Sequence, residues 1–503
     1  MRNYNYNNNS NKHIKIGLEI HCQLTALKSK LFCSCSSDYR GKEPNSNVCP
    51  ICVGLPGTLP LLNRKAVEYA IMIALSLNCS IPERLVFYRK NYFYPDLPKN
   101  FQITQYNSYE QASVGSNGYL ELDYVNGNYK KIIRIRRVQL EEDPGRLVYD
   151  SVSIDRANYT LVDYNRAGVA LVEIVTEPDF DSPEEVRVFL NKLASILEHL
   201  GVCNTELDGA VRCDVNVSFA DNARVEIKNI NSFKEVEKAI VFEITRQRSL
   251  LVRGIKVTSE TRHWDDVRRI TIQSRAKEEE QDYRYFPEQD IPVVYIANKV
   301  DAIKAGLPEL PDEKVSRFVK EYSLPEHTAK ILVNNKYLAG FFEECVKHYS
   351  NAREIANWII SDLKGYIDRD KDNIVLTRVT PRHIAELAML IDSNKINRIM
   401  AKQIMHIMVS NGDMPSSIVQ NMCIDNITSK DELREIVKKV IIEEQRAVKD
   451  AIINEKAFNY LLGKVMRYSK GRAEPTLVLE LLKEMIININ NKEKIINGNN
   501  TKK

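Results

Sequence analysis

No stretch of this sequence approaches the roughly 18 consecutive apolar residues that a membrane span needs, which excludes a helical membrane protein and leaves no membrane among the expected partners. The first thirteen residues, MRNYNYNNNSNKH, are Asn-rich and lack the apolar centre of a signal peptide, so the expected compartment is cytoplasmic. Neither G-x-x-x-x-G-K-[ST] nor G-x-G-x-x-G occurs. A Walker loop and a dinucleotide fingerprint are therefore excluded, and any nucleotide must be held in another way. Net charge is also scarce: 71 Lys and Arg against 67 Asp and Glu leave +4, so contact with nucleic acid falls to local patches. Ten cysteines are too few to staple 503 residues as a secreted disulfide scaffold. No repeat of solenoid period is visible.

Four of those cysteines stand apart. Cys33 and Cys35 form C-x-C, thirteen residues intervene, and Cys49 and Cys52 bound CPIC, making two chelating pairs that a loop can bring together. The set predicts a structural tetrathiolate zinc ribbon over about residues 31–54, with no open position for water; coincidental thiols are the alternative. At 503 residues the chain exceeds what one core serves, and its 44% apolar content can fill two or three domains.

From Ile14 to about Ile296 the pattern is mixed. Ile14, Ile16, Leu18, Ile20, Cys22 and Leu24 alternate with Lys15, Gly17, Glu19, His21 and Gln23, predicting a strand whose polar face carries Glu19 and His21. Val211, Cys213, Val215 and Val217 alternate in the same way with Arg212, Asp214, Asn216 and Ser218. Ser182 as N-cap, Pro183, Glu185 as capping-box partner, an apolar stripe from Val186 to Leu200 and then Gly201 predict one complete helix. Polar-faced strands beside a well-capped helix, without a strand–helix–strand rhythm, predict an antiparallel α+β fold. After about Lys299 the composition turns helical, GDMPSS breaks it near Gly412, and short helices resume to Ile487. The polar end from Asn488 is expected to fray. This places a mixed domain at 1–297, a helical domain at 298–412, a small all-α tail at 413–490 and a disordered end at 491–503.

The segment RKNYFYPDLPKNFQI, Arg89 to Ile103, sets cationic side chains, two Asn and four aromatics around Pro95 and Pro98. Each Pro removes a backbone donor and pushes its predecessor toward extended geometry, so an ordered binding loop is expected, with a solvated basic loop as the alternative. Three carboxylate sites sit in costly settings. Glu19 shares a strand face with His21; Glu141, Glu142 and Asp143 follow the basic run KKIIRIRR; Glu173 interrupts the apolar run ALVEIV. A carboxylate inside an apolar strand must be paired or must hold a cation, because burying it bare costs several kcal/mol. Magnesium bridging nucleotide phosphates is the simplest partner, and the His leaves room for manganese or a water-bridged contact. The alternatives are a structural ion pair for Glu173 and a satisfied strand histidine for His21. NRAG at Asn165–Gly168, EIKNINSF at Glu226–Phe233, RHWDD at Arg262–Asp266 and DYRYFPEQD at Asp282–Asp290 read as positioning elements. In the tail, Lys464, Arg467 and Lys470 recur every three residues with Tyr468 and Arg472 beside them, a cationic helix face suited to a phosphate backbone. A solvated basic face is the alternative there.

In order along the chain, IGLEIHCQL, NVCPICVGLPGTLP, RKNYFYPDLPKNFQI, LEEDPG, NRAGVALVEIVTEPD, GAVRCDVNVS, KNINSF and DYRYFPEQD resemble the GatB/GatE family, the B-type subunits of tRNA-dependent amidotransferases. The resemblance runs from about Ile14 to Ile487, and NEKAFNYLLGKVMRYSKGRAEPTLV is similar to the family's YqeY-like C-terminal domain. It implies a cradle-shaped catalytic domain with the zinc ribbon inserted. It also implies that ATP phosphorylates the side-chain carboxylate of Asp or Glu mischarged on tRNA(Asn) or tRNA(Gln), after which ammonia displaces the phosphate. By motif, Glu19, His21, Glu141 and Glu173 would hold the magnesium and ATP. Arg89, Lys90 and Asn91 would line the catalytic pocket, and Lys90, Asp214, Asn216 and Lys228 would contact the nucleotide. Ammonia would come through a tunnel from a separate amidase subunit (GatA), with a small third subunit (GatC) bracing a heterotrimer and an aminoacyl-tRNA synthetase as a further candidate partner. The GatE type carries a large inserted domain before its helical region, whereas here DYRYFPEQDIPVVYI leads directly into helices, which favours the GatB type.

A non-catalytic zinc-ribbon RNA-binding protein is the competing class. It predicts that Glu141→Gln and Glu173→Gln are harmless, whereas the ligase predicts loss of ATP-dependent amidation with tRNA binding kept. The chain has no Gly/Ser-rich amidase signature, and adjacent His21 and Cys22 point to opposite faces of their strand, which argues against a glutaminase dyad.

Overall fold

The computed structural model describes residues 14–107, 112–123, 130–150, 157–219, 222–230, 232–276, 283–367, 378–422, 430–451, 455–469, 473 and 475–499. The chain divides into two compact units, Met1–Lys314 and Val315–Lys503.

In chain order the strands of the first unit are β1 (Ile14–Gln23), β2 (Arg84–Leu85), β3 (Tyr88–Asn91), β4 (Phe101–Thr104), β5 (Gly115–Asp123), β6 (Lys130–Glu142), β7 (Arg146–Tyr149), β8 (Thr160–Asp163), β9 (Ala170–Thr176), β10 (Val211–Phe219), β11 (Val225–Lys228), β12 (Glu260–Asp265), β13 (Ile270–Ala276), β14 (Phe286–Pro287) and β15 (Val294–Tyr295). Eight form one sheet in the order β13-β12-β11-β10-β1-β9-β6-β5. Its neighbours are antiparallel except β11 and β12, which run parallel. That departs from the all-antiparallel sheet expected. The cause is the connection: α3 (Phe233–Val252) lies between these two strands, and a helical crossover returns the chain in its original direction.

Period-two alternation gives the sheet two unlike faces. Ile16, Leu18, Ile20 and Cys22 of β1, Val172 and Ile174 of β9, and Val215 and Val217 of β10 turn into one apolar core. Three helices supply its other side: α1 (Arg64–Ser76), α2 (Pro183–Leu200) and α3. Helix α2 begins at Ser182, whose side chain accepts from the Glu185 amide, and ends at Gly201 in the left-handed region at φ 69°. Its Phe189 meets Phe180 edge to face at 5.2 Å, and each fully buried Phe or Leu of this kind contributes about 1.5–3 kcal/mol. The capping box is altered: Glu185 accepts from the Asp181 amide at 2.8 Å and pairs with Lys131, so it serves the residue before the cap and the neighbouring sheet.

The Arg89–Ile103 segment is a loop only at its centre. Its ends are β3 and β4, which pair with β14 in a separate three-stranded sheet. The two prolines act locally and fall in the connection between strands. Residues 24–63 carry turns and one isolated bridge, Ser29 with Ser36.

The second unit is helical throughout its described residues. One apolar cluster runs from Phe318 to Val419 and another from Leu433 to Ile486. The helix Arg398–Asn411 ends at Gly412 with φ 78°, where GDMPSS predicts a break. The last helix, Pro475–Asn499, continues past Asn488, where the sequence predicts fraying; polar residues without Pro extend it.

Candidate active site and metal centre

The polar face of the eight-stranded sheet collects most of the residues singled out in the sequence. On β1, Glu19 stands opposite Asp214 of β10 and Val175 of β9, and His21 opposite Arg212 and Glu173. Strand β9 separates β1 from β6, where Gln139 pairs with Glu173 and Glu141 with Leu171. The rows converge on His21: its Nε2 lies 3.7 Å from Glu19, 3.8 Å from Glu141 and 3.8 Å from Glu173. Ligand atoms of Glu19, His21 and Glu173 fall within 4.8 Å of one another, a spacing one divalent ion can span. Glu141 is aimed by Thr104, whose hydroxyl donates to it at 2.7 Å.

Charge around the cluster divides the carboxylates. Burial works to raise Glu19, but His21, Lys228, Lys90 and Arg137 overcome it and hold that carboxyl at about 2. Burial raises Glu173, Arg137 opposes, and Glu19 and Glu141 add repulsion, so it is pushed up to about 7. Burial and the repulsion of two neighbouring carboxylates thus fall on Glu173, and a divalent ion held beside it would relieve both. Above this floor opens a cavity of about 960 Å³ lined by Glu19, Lys90, Arg137, Glu173, Asn216 and Lys228 among others. A space of that size accepts a nucleotide. Lys90 enters it between tyrosines, its ammonium 4.7 Å from the Tyr283 ring centre and 5.6 Å from that of Tyr92. Lys228 bonds Asp214 at 2.8 Å.

The four cysteines also come together: one sulfur each from Cys33, Cys35, Cys49 and Cys52 lies within 4.8 Å of the others. Four thiol donors with no carboxylate or His among them match a closed structural zinc site. The Cys49 amide donates to Cys52 Sγ at 3.1 Å. The hydrogen bond from Cys33 leads the causes that lower Cys52 to about 5, while burial leads those that push Cys35 up to about 11.

A family model described as the GatB/GatE catalytic domain matches residues 14–301. The chain belongs to the GatB/GatE family. A second model of the same family, described as the GatB domain, matches residues 340–486. Among curated relatives, the chain is 46% identical over 474 residues to a protein of Saccharolobus solfataricus and 47% identical over 474 residues to one of Sulfurisphaera tokodaii, each match covering 94% of this chain and 99% of the relative. It is 45% identical over 480 residues to a Thermotoga maritima protein, covering 94% of this chain and 98% of that one. All three are named as the B-type member of an aspartyl/glutamyl-tRNA(Asn/Gln) amidotransferase.

Not every residue marked for the GatB/GatE pocket reaches it. Lys90 faces the carboxylates, so strand alternation turns Arg89 and Asn91 the other way. Arg89 forks onto Glu288 at 2.6 and 2.7 Å, and the Asn91 amide donates to the Arg284 carbonyl at 2.8 Å. Arg137 escapes the sequence reading; it stands 3.3 Å from Glu173 inside the cavity, and the basic run KKIIRIRR is the signal that could have marked it. Asp143, marked in the sequence with Glu141 and Glu142 as a costly carboxylate, stands outside the His21 cluster as a fully buried anchor that takes Arg212 at 2.7 Å and the Gln23 amide at 2.7 Å. Glu142 turns away from the cluster and takes Lys99 at 2.6 Å. In the second unit Lys464 is paired with Glu444 at 2.6 Å, Arg467 and Tyr468 are exposed, and Lys470 and Arg472 lie outside the described residues.

Proposed function

We propose that this chain is the GatB component of a tRNA-dependent amidotransferase, an ATP-using carbon–nitrogen ligase with glutamine as the ultimate amide donor. The reading is carried by one observation: Glu19, Glu141 and Glu173 line a cavity large enough for a nucleotide and an aminoacyl end, and each lies within 3.8 Å of His21. The substrates are Asp-tRNA(Asn), Glu-tRNA(Gln) or both. An oxygen of the side-chain carboxylate attacks the γ-phosphorus of ATP, ADP leaves, and an acyl phosphate results. Ammonia nitrogen then attacks the acyl carbon, the C–O bond to phosphate breaks, and the proton shed by nitrogen departs on phosphate. A carboxylate resists amine attack until it acquires such a leaving group.

Glu19, His21, Glu141 and Glu173 would hold magnesium, which when bound offsets charge on the phosphate oxygens. Lys90 and Arg137 present cations to the same space, and Asp214 orients Lys228 toward it. Arg89 and Asn91 serve as supports of β3 in this reading. Cys33, Cys35, Cys49 and Cys52 hold a structural zinc in an inserted ribbon of about residues 31–54. The catalytic cradle occupies 1–297, a helical domain 298–412 and a YqeY-like tail 413–490, whose exposed Arg467 and Tyr468 meet the tRNA backbone. Partners are an amidase subunit (GatA) that releases ammonia, a small third subunit (GatC) that braces the pair and an aminoacyl-tRNA synthetase, all in the cytoplasm.

The test is amidation of labelled Asp-tRNA(Asn) and Glu-tRNA(Gln) by the reconstituted complex, with ammonium as donor and ATP present or omitted. ATP-dependent product that disappears in Glu173→Gln supports the reading. A fully active Glu173→Gln enzyme removes Glu173 from the mechanism, and wild type that forms no ATP-dependent product returns the chain to the RNA-binding class.

A further inference from the structure

Lys30 is among the largest side chains in the structure with no exposure at all, and it lies against the cysteine cluster. Its ammonium donates to the Asn47 carbonyl at 2.8 Å and approaches Cys52 Sγ at 3.8 Å. Among the described residues no carboxylate pairs with it, and Glu142, which borders the same turn at Gly168, is already taken by Lys99. A buried ammonium without a counter-ion is among the costliest groups a fold can carry. Four thiolates around one divalent cation carry a net charge of −2, which is the counter-ion this lysine lacks.

We infer that Lys30 is part of the metal centre, a buried positioning cation that donates to the Cys52 thiolate and offsets the charge of the metal–tetrathiolate unit. The surroundings are built for that role. The Asn47 amide nitrogen donates to Asn165 Oδ1 at 2.7 Å, the Asn47 side chain donates to the Ser36 carbonyl at 2.9 Å, and the Leu31 amide donates to the Gly168 carbonyl at 2.9 Å. The NRAG turn thus fixes both the carbonyl that Lys30 grips and the backbone beside Lys30 itself. Gly168 sits at φ 84°, and a Cβ there would stand 3.5 Å from Cys52 Cβ and 3.6 Å from Lys30 Cδ, so the turn lies alongside both side chains. The metal centre is therefore shared between the cysteine loop and the turn that leads into β9. An outer partner of this kind sets metal affinity roughly 10–100-fold.

The inference rests on the zinc reading, and the experiment separates the two. Zinc content is measured on the full chain, followed by the rate of zinc release to a chelator for wild type and Lys30→Met. Melting of zinc-loaded and zinc-stripped forms of each is compared. The expected result is one zinc per wild-type chain, release at least tenfold faster from Lys30→Met, and a smaller gap between loaded and stripped melting in the variant. Wild type without zinc overturns both the zinc reading and the role of Lys30. Zinc in wild type with equal release rates and an equal melting gap overturns the role of Lys30 alone, since a lysine that only packs would lower both forms equally. If Lys30→Met does not fold, Lys30→Gln keeps a donor without the charge and is judged by the same two readouts.

Discussion

The two candidate metal centres of the first unit are built in opposite ways. The carboxylate cluster draws its members from β1, β6 and β9, whose positions span residues 19 to 173, and surrounds them with Lys90, Arg137 and Lys228 beside a broad cavity. The cysteine cluster draws its ligands from twenty residues of turns and adds one buried cation. An open centre with mixed charge and solvent space can exchange substrate, whereas four thiols around one ion leave no open position. The two clusters thus offer unlike donor sets, carboxylates and one His on the sheet against four thiols in turns.

The largest effect that sharpens this contrast is expected from Glu141→Gln. Loss of a metal ligand should lower kcat for ammonium-dependent amidation by about 100-fold or more, while binding of tRNA by filter assay stays within twofold. A variant that loses tRNA binding in the same proportion would break the division of roles. Next comes Cys33→Ser with Cys52→Ser, which should abolish zinc content and lower the first melting transition by roughly 5–10 °C, with residual ammonium-dependent amidation at low temperature. Complete loss of amidation in the still-folded variant would place the thiol centre in the chemistry. Asp143→Asn should cost about 1–3 kcal/mol in denaturant unfolding of the first unit, because it takes the counter-charge from the half-buried Arg212 guanidinium; a loss within experimental error would make this network ornamental to stability. The smallest effect belongs to the second unit. Arg467→Ala should weaken tRNA binding about threefold and reduce the dependence of log K on log salt by about 0.7–1, the share of one phosphate contact. Lys464→Ala should do less, since Glu444 already holds that ammonium, and a larger effect for Lys464 would reverse their ranking.

The same contrast explains what could be read in advance. The cysteine pairs were legible because chelation depends on local spacing, and α2 because its cap, stripe and terminal glycine lie within twenty residues. The polar faces of β1 and β10 followed from alternation alone. Their adjacency did not, since strand order in a sheet is decided by pairings far apart in sequence, such as Glu19 with Asp214. Family resemblance named Glu141 and Glu173 as partners of His21 where periodicity could only mark each as costly. It could not divide Arg89 from Lys90, adjacent in sequence and opposed in space, because that depends on which face of a short strand meets the sheet. Arg137 went unread for the same reason, as one of several arginine and lysine positions along β6. Lys30 left no signal at all in composition or motif; only burial marks it.

One consequence of the strand order concerns the order in which the chain is made. Of the eight strands in the large sheet, β1 leaves the ribosome first, yet its partners there are β9 at residues 170–176 and β10 at residues 211–219. Neither neighbour exists until residue 170 has been made. Glu19 and His21 therefore stay without their strand partners for about half of the synthesis of the first unit, with long-range closure as the slow step. Throughout that interval the apolar alternation of Ile14 to Cys22 stays open to pairing with another chain.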